Sequence, residues 1–413
     1  MIVKGSLFPY RVLDLTDEKG WMCGKVLSDL GADVVKVEPP GGDPGRNKGP
    51  FFHDSPHPEK SLQWFAYNTN KRGITLSLEA EQGRRLFEQL AGKADFIVES
   101  FPPGYLEGIG IGYSRLRELN PRVILLSITD FGQSGPYRDY KGCDLVAMAM
   151  GGFMYVCGDA DRPPVRISID HAYPLAAAQA ASAALIASYQ RLRTGEGQWI
   201  DVSVRECIVR ALHIELGFWN DSGEVPVRSG PRRRRMSSYL RDVWPCKDGH
   251  LGFRLLGGRL GAGTLRALAE WMESEGMVGS LKGVDFESLD LATTSREQLL
   301  QWEDTLCRFF MRHTKDEIYN KAMEKRMLIC PSFTMGELAE YEQLEARNFW
   351  MELDYPELGC TIRHPRRSLI SSEAPCEVRR RAPLVGEHNE EIYTGELGMS
   401  RGRLGRLRTQ GVI

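Results

Sequence analysis

Short β-branched runs alternate with helix-forming stretches along the first 130 residues. Arg11-Val12-Leu13-Asp14-Leu15 reads as a strand, and a helical stretch follows to Leu30, stopped by Gly31. Asp33-Val34-Val35-Lys36-Val37 is the second predicted strand, Gln82 to Leu90 a helix, Asp95-Phe96-Ile97-Val98-Glu99 a third strand and Val123-Ile124-Leu125-Leu126-Ser127 a fourth. Strands separated by helices and short loops predict an α/β fold with a doubly wound parallel sheet. Such sheets bind ligands beyond the carboxyl ends of their strands. The loops at those ends are Thr16–Gly20, Glu38–Arg46, Ser100–Gly104 and Thr129–Gly135.

The longest apolar helix is expected from about Ala172 to Arg193, ending at Thr194-Gly195-Glu196-Gly197. It is rich in alanine and nearly featureless in amphipathicity, which predicts burial against other elements or a partner. A strand at Trp199-Ile200-Asp201-Val202-Ser203 and a helix through Trp219 follow. The texture then changes: Val227 to Arg241 is polar and dense in arginine, Trp244 to Phe253 reads as a hairpin around Lys247-Asp248-Gly249, and helices dominate from Gly263 to Tyr341. These shifts predict a large domain over 1–220, a smaller α+β domain over 221–345, and a linker over 346–413 that returns to the large domain.

The net charge of −2 gives no global electrostatic case for nucleic acid or membrane binding. The charge is uneven, with ten arginines between Arg363 and Arg408. No stretch approaches the ~20 uninterrupted apolar residues of a membrane span, and the opening Met1-Ile2-Val3-Lys4-Gly5-Ser6 lacks the apolar core of a signal peptide. Nine scattered cysteines without a Cys-x-x-Cys pair argue against a disulfide framework or metal site, and for a cytoplasmic location.

A Walker loop, a His-Glu-x-x-His helix, a Gly-x-Ser-x-Gly elbow and a dinucleotide fingerprint are all missing; Gly108-Ile109-Gly110-Ile111-Gly112 has the wrong spacing. This disfavours an NAD or ATP enzyme. Asp170 ends Val165-Arg166-Ile167-Ser168-Ile169-Asp170, immediately before the long helix. Read from the residues alone, it is a helix N-cap. The same place also suits a nucleophile, because the helix dipole and its free N–H groups favour an ionised carboxylate and would hold charge developing on an attacked carbonyl.

A longer series of matches resembles one family. Val12-Leu13-Asp14-Leu15-Thr16, the run from Asp29 to Asp43, Asn68-Thr69-Asn70-Lys71-Arg72-Gly73-Ile74-Thr75-Leu76, Glu99-Ser100-Phe101-Pro102-Pro103-Gly104 and Leu119-Asn120-Pro121-Arg122 occur in order. Phe131-Gly132-Gln133-Ser134-Gly135-Pro136-Tyr137, Thr194-Gly195-Glu196-Gly197-Gln198 and Ala382-Pro383-Leu384-Val385-Gly386-Glu387-His388 complete them. Together they resemble class III CoA-transferases, densest over 10–205 and sparse over 221–345. The resemblance implies a Rossmann-like large domain built from both chain ends, a small middle domain, and an interlocked dimer. It also implies Asp170 as a nucleophile that forms an acyl–aspartyl anhydride and then an aspartyl–CoA thioester. Coenzyme A or acyl-CoA would be substrate rather than a resident cofactor, and no metal is needed. Lys36, Arg46, Lys71, Arg72 and Phe101 fall on the family's nucleotide-binding stretches, where cations would meet phosphates and Phe101 would line the adenine or pantetheine channel.

The sequence departs from that pattern in places. The loop after the first strand reads Asp17-Glu18-Lys19-Gly20-Trp21-Met22 instead of an Ala-Gly-Pro stretch, and Glu107-Gly108-Ile109 lacks a usual basic residue. Gly142-Cys143-Asp144 stands where related racemases carry Gly-His-Asp; Cys143 reads as a small buried packing residue and His171 as one that packs or orients. Arg232-Arg233-Arg234-Arg235 reads as a solvated loop, or as capture of an acidic acceptor such as a dicarboxylate, or of CoA phosphates. Nearby Tyr239, Trp244 and Phe253 also admit an aryl-substituted acid. The expected donor is an acyl-CoA such as succinyl-CoA, in a homodimer or a heterodimer with a homologous subunit. The rivals are an acyl-CoA racemase or isomerase, and a CoA-binding subunit of a heteromeric transferase.

Overall fold

A computed structural model describes residues 5–235, 238–367 and 369–413; for Arg234, Arg235 and Ser238 only the backbone is described. The chain divides into two compact units. The larger is formed by Met1–Met154, Arg166–Asn220 and Gln343–Ile413, the smaller by Tyr155–Val165 and Asp221–Glu342. The segment 155–165 was expected within the large domain and instead belongs with the smaller unit.

The larger unit is a six-stranded parallel sheet flanked by helices. In chain order it runs β1 (Arg11–Leu15), α1 (Trp21–Asp29), β2 (Asp33–Glu38), α2 (Leu62–Tyr67), β3 (Arg72–Thr75), α3 (Glu81–Ala91), β4 (Phe96–Glu99), α4 (Tyr105–Gly108), α5 (Tyr113–Leu119) and β5 (Ile124–Thr129). Next come α6 (Asp144–Met150), α7 (Ala172–Thr194), β6 (Trp199–Ser203), α8 (Val204–Ala211) and α9 (His213–Ser222). Strand order is β3-β2-β1-β4-β5-β6. Every pairing is parallel, so the strand order reverses between β1 and β4, where such sheets open a crevice. The predicted doubly wound sheet is therefore present, with strands β1, β2 and β4–β6 within two residues of their expected places.

Two apolar layers sandwich the sheet. Val12, Val34, Phe96, Val98, Leu126 and Ile128 face α1 and α7, while Leu13, Val35, Ile74, Ile97 and Leu125 face α3 and the C-terminal segment. This is the period-2 alternation of strands buried on both faces. In α7 the buried side is Ala176, Ala177, Ala180, Ala181, Ala184 and Ala187, whereas Ile186, Tyr189 and Leu192 are exposed. Small residues inside and large apolar residues outside explain why the sequence showed no amphipathic face. Gly195 closes the helix in the left-handed conformation, at φ +79°, which costs a glycine little.

Strand β3 was missed by the hydrophobic pattern because Ile74 is the one large apolar residue in Arg72-Gly73-Ile74-Thr75. Its outer edge is covered by the closing motif. His388 Nδ1 accepts from the Gly73 N–H at 3.1 Å, and Asn389 Oδ1 from the Thr75 N–H at 2.9 Å. The Tyr393 hydroxyl donates to the Thr75 carbonyl at 2.8 Å. Edge donors that would otherwise recruit another strand are thus occupied.

In the smaller unit, β7 (Arg232–Arg235) pairs antiparallel with β8 (Ser238–Arg241), and β9 (Val243–Cys246) with β10 (Gly249–Phe253), the predicted hairpin. The arginine run is therefore a strand rather than a loop. Arg232 forms an ion pair with Glu303, Arg233 is exposed, and the side chains of Arg234 and Arg235 lie outside the described residues. Three helices, α10 (Gly258–Ser274), α11 (Arg296–Phe310) and α12 (Lys315–Lys325), pack on Trp244, Leu251 and Phe253. Among the described residues no helix is long and apolar enough to cross a membrane.

Overpacking the alanine ridge should weaken the larger unit: Ala180→Leu, at a fully buried position, is expected to lose about 1–3 kcal/mol. A lowered urea midpoint with an unchanged slope would show this, and an unchanged midpoint would mean that α7 is not tightly seated.

Candidate active site

Asp14, fully buried at the carboxyl end of β1, holds the floor of the site together. Its Oδ1 accepts from the Thr16 N–H at 3.0 Å and the Thr16 hydroxyl at 2.7 Å, and its Oδ2 from Lys71 Nζ at 2.8 Å. Burial alone would raise this carboxyl, but the charges of Lys71 and Lys36 outweigh it and hold it below the usual carboxylate range. Lys71 spends its other donors on the Trp21 carbonyl at 2.9 Å and Asn68 Oδ1 at 2.8 Å. α1 can approach this cluster because residue 24 is glycine: a Cβ there would stand 2.1 Å from Asp14 Oδ2.

The expected cations divide into two groups. Lys36 and Phe101 line a cavity of about 860 Å³ at the carboxyl ends of β1, β2, β4 and β5, within the ~300–1,000 Å³ typical of ligand sites. Arg46, Lys71 and Arg72 do not line it. Arg46 forks onto Glu38 at 2.6 and 2.9 Å, meets Glu59 at 2.7 Å and the Pro383 carbonyl at 2.9 Å, and lies 3.6 Å from the Trp64 ring centroid. Arg72 forks onto Asp33 and reaches Glu391 and Glu396 at 2.7 and 2.6 Å. These three side chains are internal counter-ions in this structure. Sequence shows that a residue is cationic but not which carboxylate has claimed it.

Lys36 is itself buried, 3.2 Å from Asp43, and also donates to the Thr16 carbonyl. Burial would lower its amine, yet Asp43, Asp14 and Glu38 together keep it above the ordinary lysine value. Three further cations, Lys19, Arg138 and Lys141, belong to the cavity wall and were missed. Their signal was their position in or just beyond the loops that follow β1 and β5. Phe101 stacks at a tilt on Tyr105, ring centroids 4.6 Å apart, and together they supply an aromatic wall. Behind them Glu99 accepts from the Phe101 N–H at 2.7 Å. Burial pushes its carboxyl up to about 7, against the opposing pull of the Ser127 hydroxyl and that N–H.

Asp170 is exposed and does not line the cavity. The N-cap of α7 is His171, and the capping bond comes from elsewhere: Asp144 Oδ2 accepts from the Tyr173 N–H at 3.1 Å. Among the described residues the Asp170 carboxylate is thus left without a capping bond, its one ion pair being a loose contact with Arg166 Nη1 at 3.8 Å. Tyr67 lies close enough to feel it, since burial and the charges of Asp170 and Asp144 raise its phenol. Tyr173, the second residue of α7, donates its hydroxyl to Asp130 at 3.1 Å, and Asp130 is a cavity residue. The start of α7, two residues after Asp170, is therefore tied to the cavity wall. His171 packs against Phe153, ring centroids 6.5 Å apart. Cys143, expected to be buried, is exposed.

A doubly wound sheet in this strand order, with a ligand-sized, cation-bearing cavity at its carboxyl ends, is the arrangement in which such folds bind ligands. Comparison narrows this. The sequence profile of CoA-transferase family III matches residues 9–389. The chain is 35% identical over 408 residues to the succinyl-CoA:(R)-benzylsuccinate CoA-transferase subunit BbsE of Thauera aromatica, covering 98% of this chain and 97% of that one. It is 30% identical to a succinyl-CoA–D-citramalate CoA-transferase of Chloroflexus aurantiacus, covering 98% and 97%. A CaiB/BaiF family protein of Brucella suis superposes with a TM-score of 0.80 at 28% identity, covering 95% of this chain and 99% of that one. The protein belongs to CoA-transferase family III and is an enzyme of that class.

Two outcomes test the site's electrostatics. Lys71→Met would strand the buried Asp14 charge and should destabilise the protein by about 3–5 kcal/mol, read from denaturant unfolding; a loss under 1 kcal/mol would mean the cluster is not what holds β1, α1 and β3 together. Glu99 binds its proton more tightly folded than unfolded, so its contribution to stability should fall as pH rises from about 4.5 to about 7. In Glu99→Gln that part of the decline should vanish. If the two stability–pH profiles stay parallel, the Glu99 carboxyl is not raised.

Proposed function

We propose that this enzyme moves coenzyme A from succinyl-CoA to a second carboxylic acid through covalent chemistry at Asp170. The observation that carries the reading is the uncommitted Asp170 carboxylate at the head of α7, while Asp144 takes over the helix-capping bond. An aspartate needed only as a cap would accept that bond itself.

In the first half-reaction an Asp170 oxygen attacks the thioester carbonyl, the C–S bond breaks and CoA leaves as thiolate. The oxyanion is proposed to be held by the Ala172 N–H, because the Tyr173 N–H is bonded to Asp144, residue 174 is proline and the Leu175 N–H is bonded to the His171 carbonyl. The thiolate then attacks the Asp170 carbonyl carbon, giving an aspartyl–CoA thioester and free succinate. The acceptor carboxylate repeats the sequence in reverse. Exchange between thioesters of similar energy needs little driving force, so the protein's task is to position the reactants and exclude water. Lys36 and Phe101, with Lys19, Arg138 and Lys141, are proposed to receive the nucleotide and pantetheine of CoA, the cations meeting phosphate oxygens. Arg46, Lys71 and Arg72 act one layer behind, as structural supports for those loops.

Succinyl-CoA as donor is supported by the activities for which the BbsE subunit and the citramalate enzyme are named. The same relatives favour a dicarboxylic acceptor, including an aryl-substituted one. Gly142-Cys143-Asp144, without the histidine of the racemases, speaks for transfer over racemisation. Partnership with a second chain, identical or homologous, fits the exposed Ile186, Tyr189 and Leu192 on α7, and the all-thiol cysteines among the described residues fit a reducing cytoplasm.

Intact-protein mass spectrometry after brief exposure to succinyl-CoA, with hydroxylamine trapping, tests the route. An adduct mapping to Asp170 is expected, absent from Asp170→Ala, whose turnover should fall at least ~10³-fold with CoA affinity nearly unchanged. Residual turnover above a few per cent would reassign the nucleophile.

A further inference from the structure

Arg166 is the cation that the structure sets beside Asp170. Its Nη1 stands 3.8 Å from Asp170 Oδ1, longer than a hydrogen bond, and both side chains are about half exposed. Its Nη2 makes a marginal 3.4 Å bond to the Ser168 carbonyl. A guanidinium presents five N–H donors, so most of this one faces outward. The contrast with Arg46 and Arg72 is sharp, since those two are locked into forks with carboxylates.

The charge on Asp170 is not constant through the reaction proposed above. As a free carboxylate it attracts Arg166. As an aspartyl–CoA thioester it is neutral, and the guanidinium loses its counter-ion at the moment the enzyme must admit a carboxylate. We infer that Arg166 receives the reacting carboxylate of the acceptor acid in the thioester state, within reach of the Asp170 carbonyl carbon. This rests on the covalent reading of Asp170.

The sequence of bonds is balanced. The acceptor oxygen, held by Arg166, attacks Asp170 Cγ; a C–O bond forms, the C–S bond breaks and the electron pair leaves with CoA thiolate. The thiolate then attacks the acceptor's acyl carbon, and the bond to the Asp170 oxygen breaks. Asp170 regains its charge and reclaims Arg166. A loose, half-exposed pair suits this exchange: exposed ion pairs contribute little stability, so the guanidinium changes partners at small cost. Arginine suits it better than lysine because its planar fork matches a carboxylate.

The degenerate exchange of labelled succinate into succinyl-CoA isolates this step, because succinate must bind as acceptor in the reverse of the donor reaction. In Arg166→Gln the Asp170 adduct from succinyl-CoA alone should form within about threefold of the wild-type rate. The KM for succinate in the exchange should rise about tenfold or more, the loss of one charge-assisted contact, and Arg166→Lys should recover part of it. Equal slowing of adduct formation and exchange would make Arg166 a support for Asp170 alone and overturn the inference, as would an unchanged KM. If the wild-type chain forms no adduct, the covalent reading itself fails and the role of Arg166 falls with it; the adduct measurement separates the two failures.

Discussion

A buried carboxylate at the end of the first strand organises this protein. Asp14 is cut off from water, so its charge persists only because Lys71, Lys36 and Thr16 surround it. That requirement fixes the positions of β1, β2, β3 and α1 relative to one another. Such clusters add little net stability over an apolar equivalent, yet breaking one is costly. They therefore select one arrangement more than they strengthen it. Lys36 joins this cluster to the cavity, so the floor of that cavity is part of the same network that holds β1, β2 and β3 in place.

The α/β class and most strands were legible because strands buried on both faces leave continuous β-branched runs, as in Val34-Val35 and Ile124-Leu125-Leu126. β3 was not legible, since its stability comes from His388, Asn389 and Tyr393, more than 300 residues away. The same distance hid Pro383 as a partner of Arg46, and Glu391 and Glu396 as partners of Arg72. Asp170 could be placed before the long helix from its sequence context, but not shown to be free of capping duty. That depends on Asp144, whose bond to Tyr173 joins two helices with no local signature. Lys19 and Arg138 went unnoticed because lysines and arginines in loops are usually solvated, and only the fold reveals that these surround one cavity.

The proposed anhydride would have to be protected from water, and the Asp170 carboxylate in the isolated chain is exposed. The chemistry thus asks for something to close over the head of α7: the acyl group itself, a second chain, or both. On the proposed route a long-lived intermediate would be compatible with this site only while it is filled, which would link catalytic fidelity to occupancy.

The stitching of the closing motif onto the first strands bears on how the protein is made. Glu38 and Arg46 leave the ribosome long before Pro383, and Arg72 long before Glu391 and Glu396. During synthesis the nascent N-terminal half carries an uncovered sheet edge and half-neutralised arginines, while the smaller unit, largely contiguous in sequence, can fold in the interval. Pairings of such large sequence separation form slowly and expose strand edges meanwhile. Cellular yield should therefore be governed by how well the nascent chain is sheltered until its last few dozen residues emerge, more than by the final stability of the sheet.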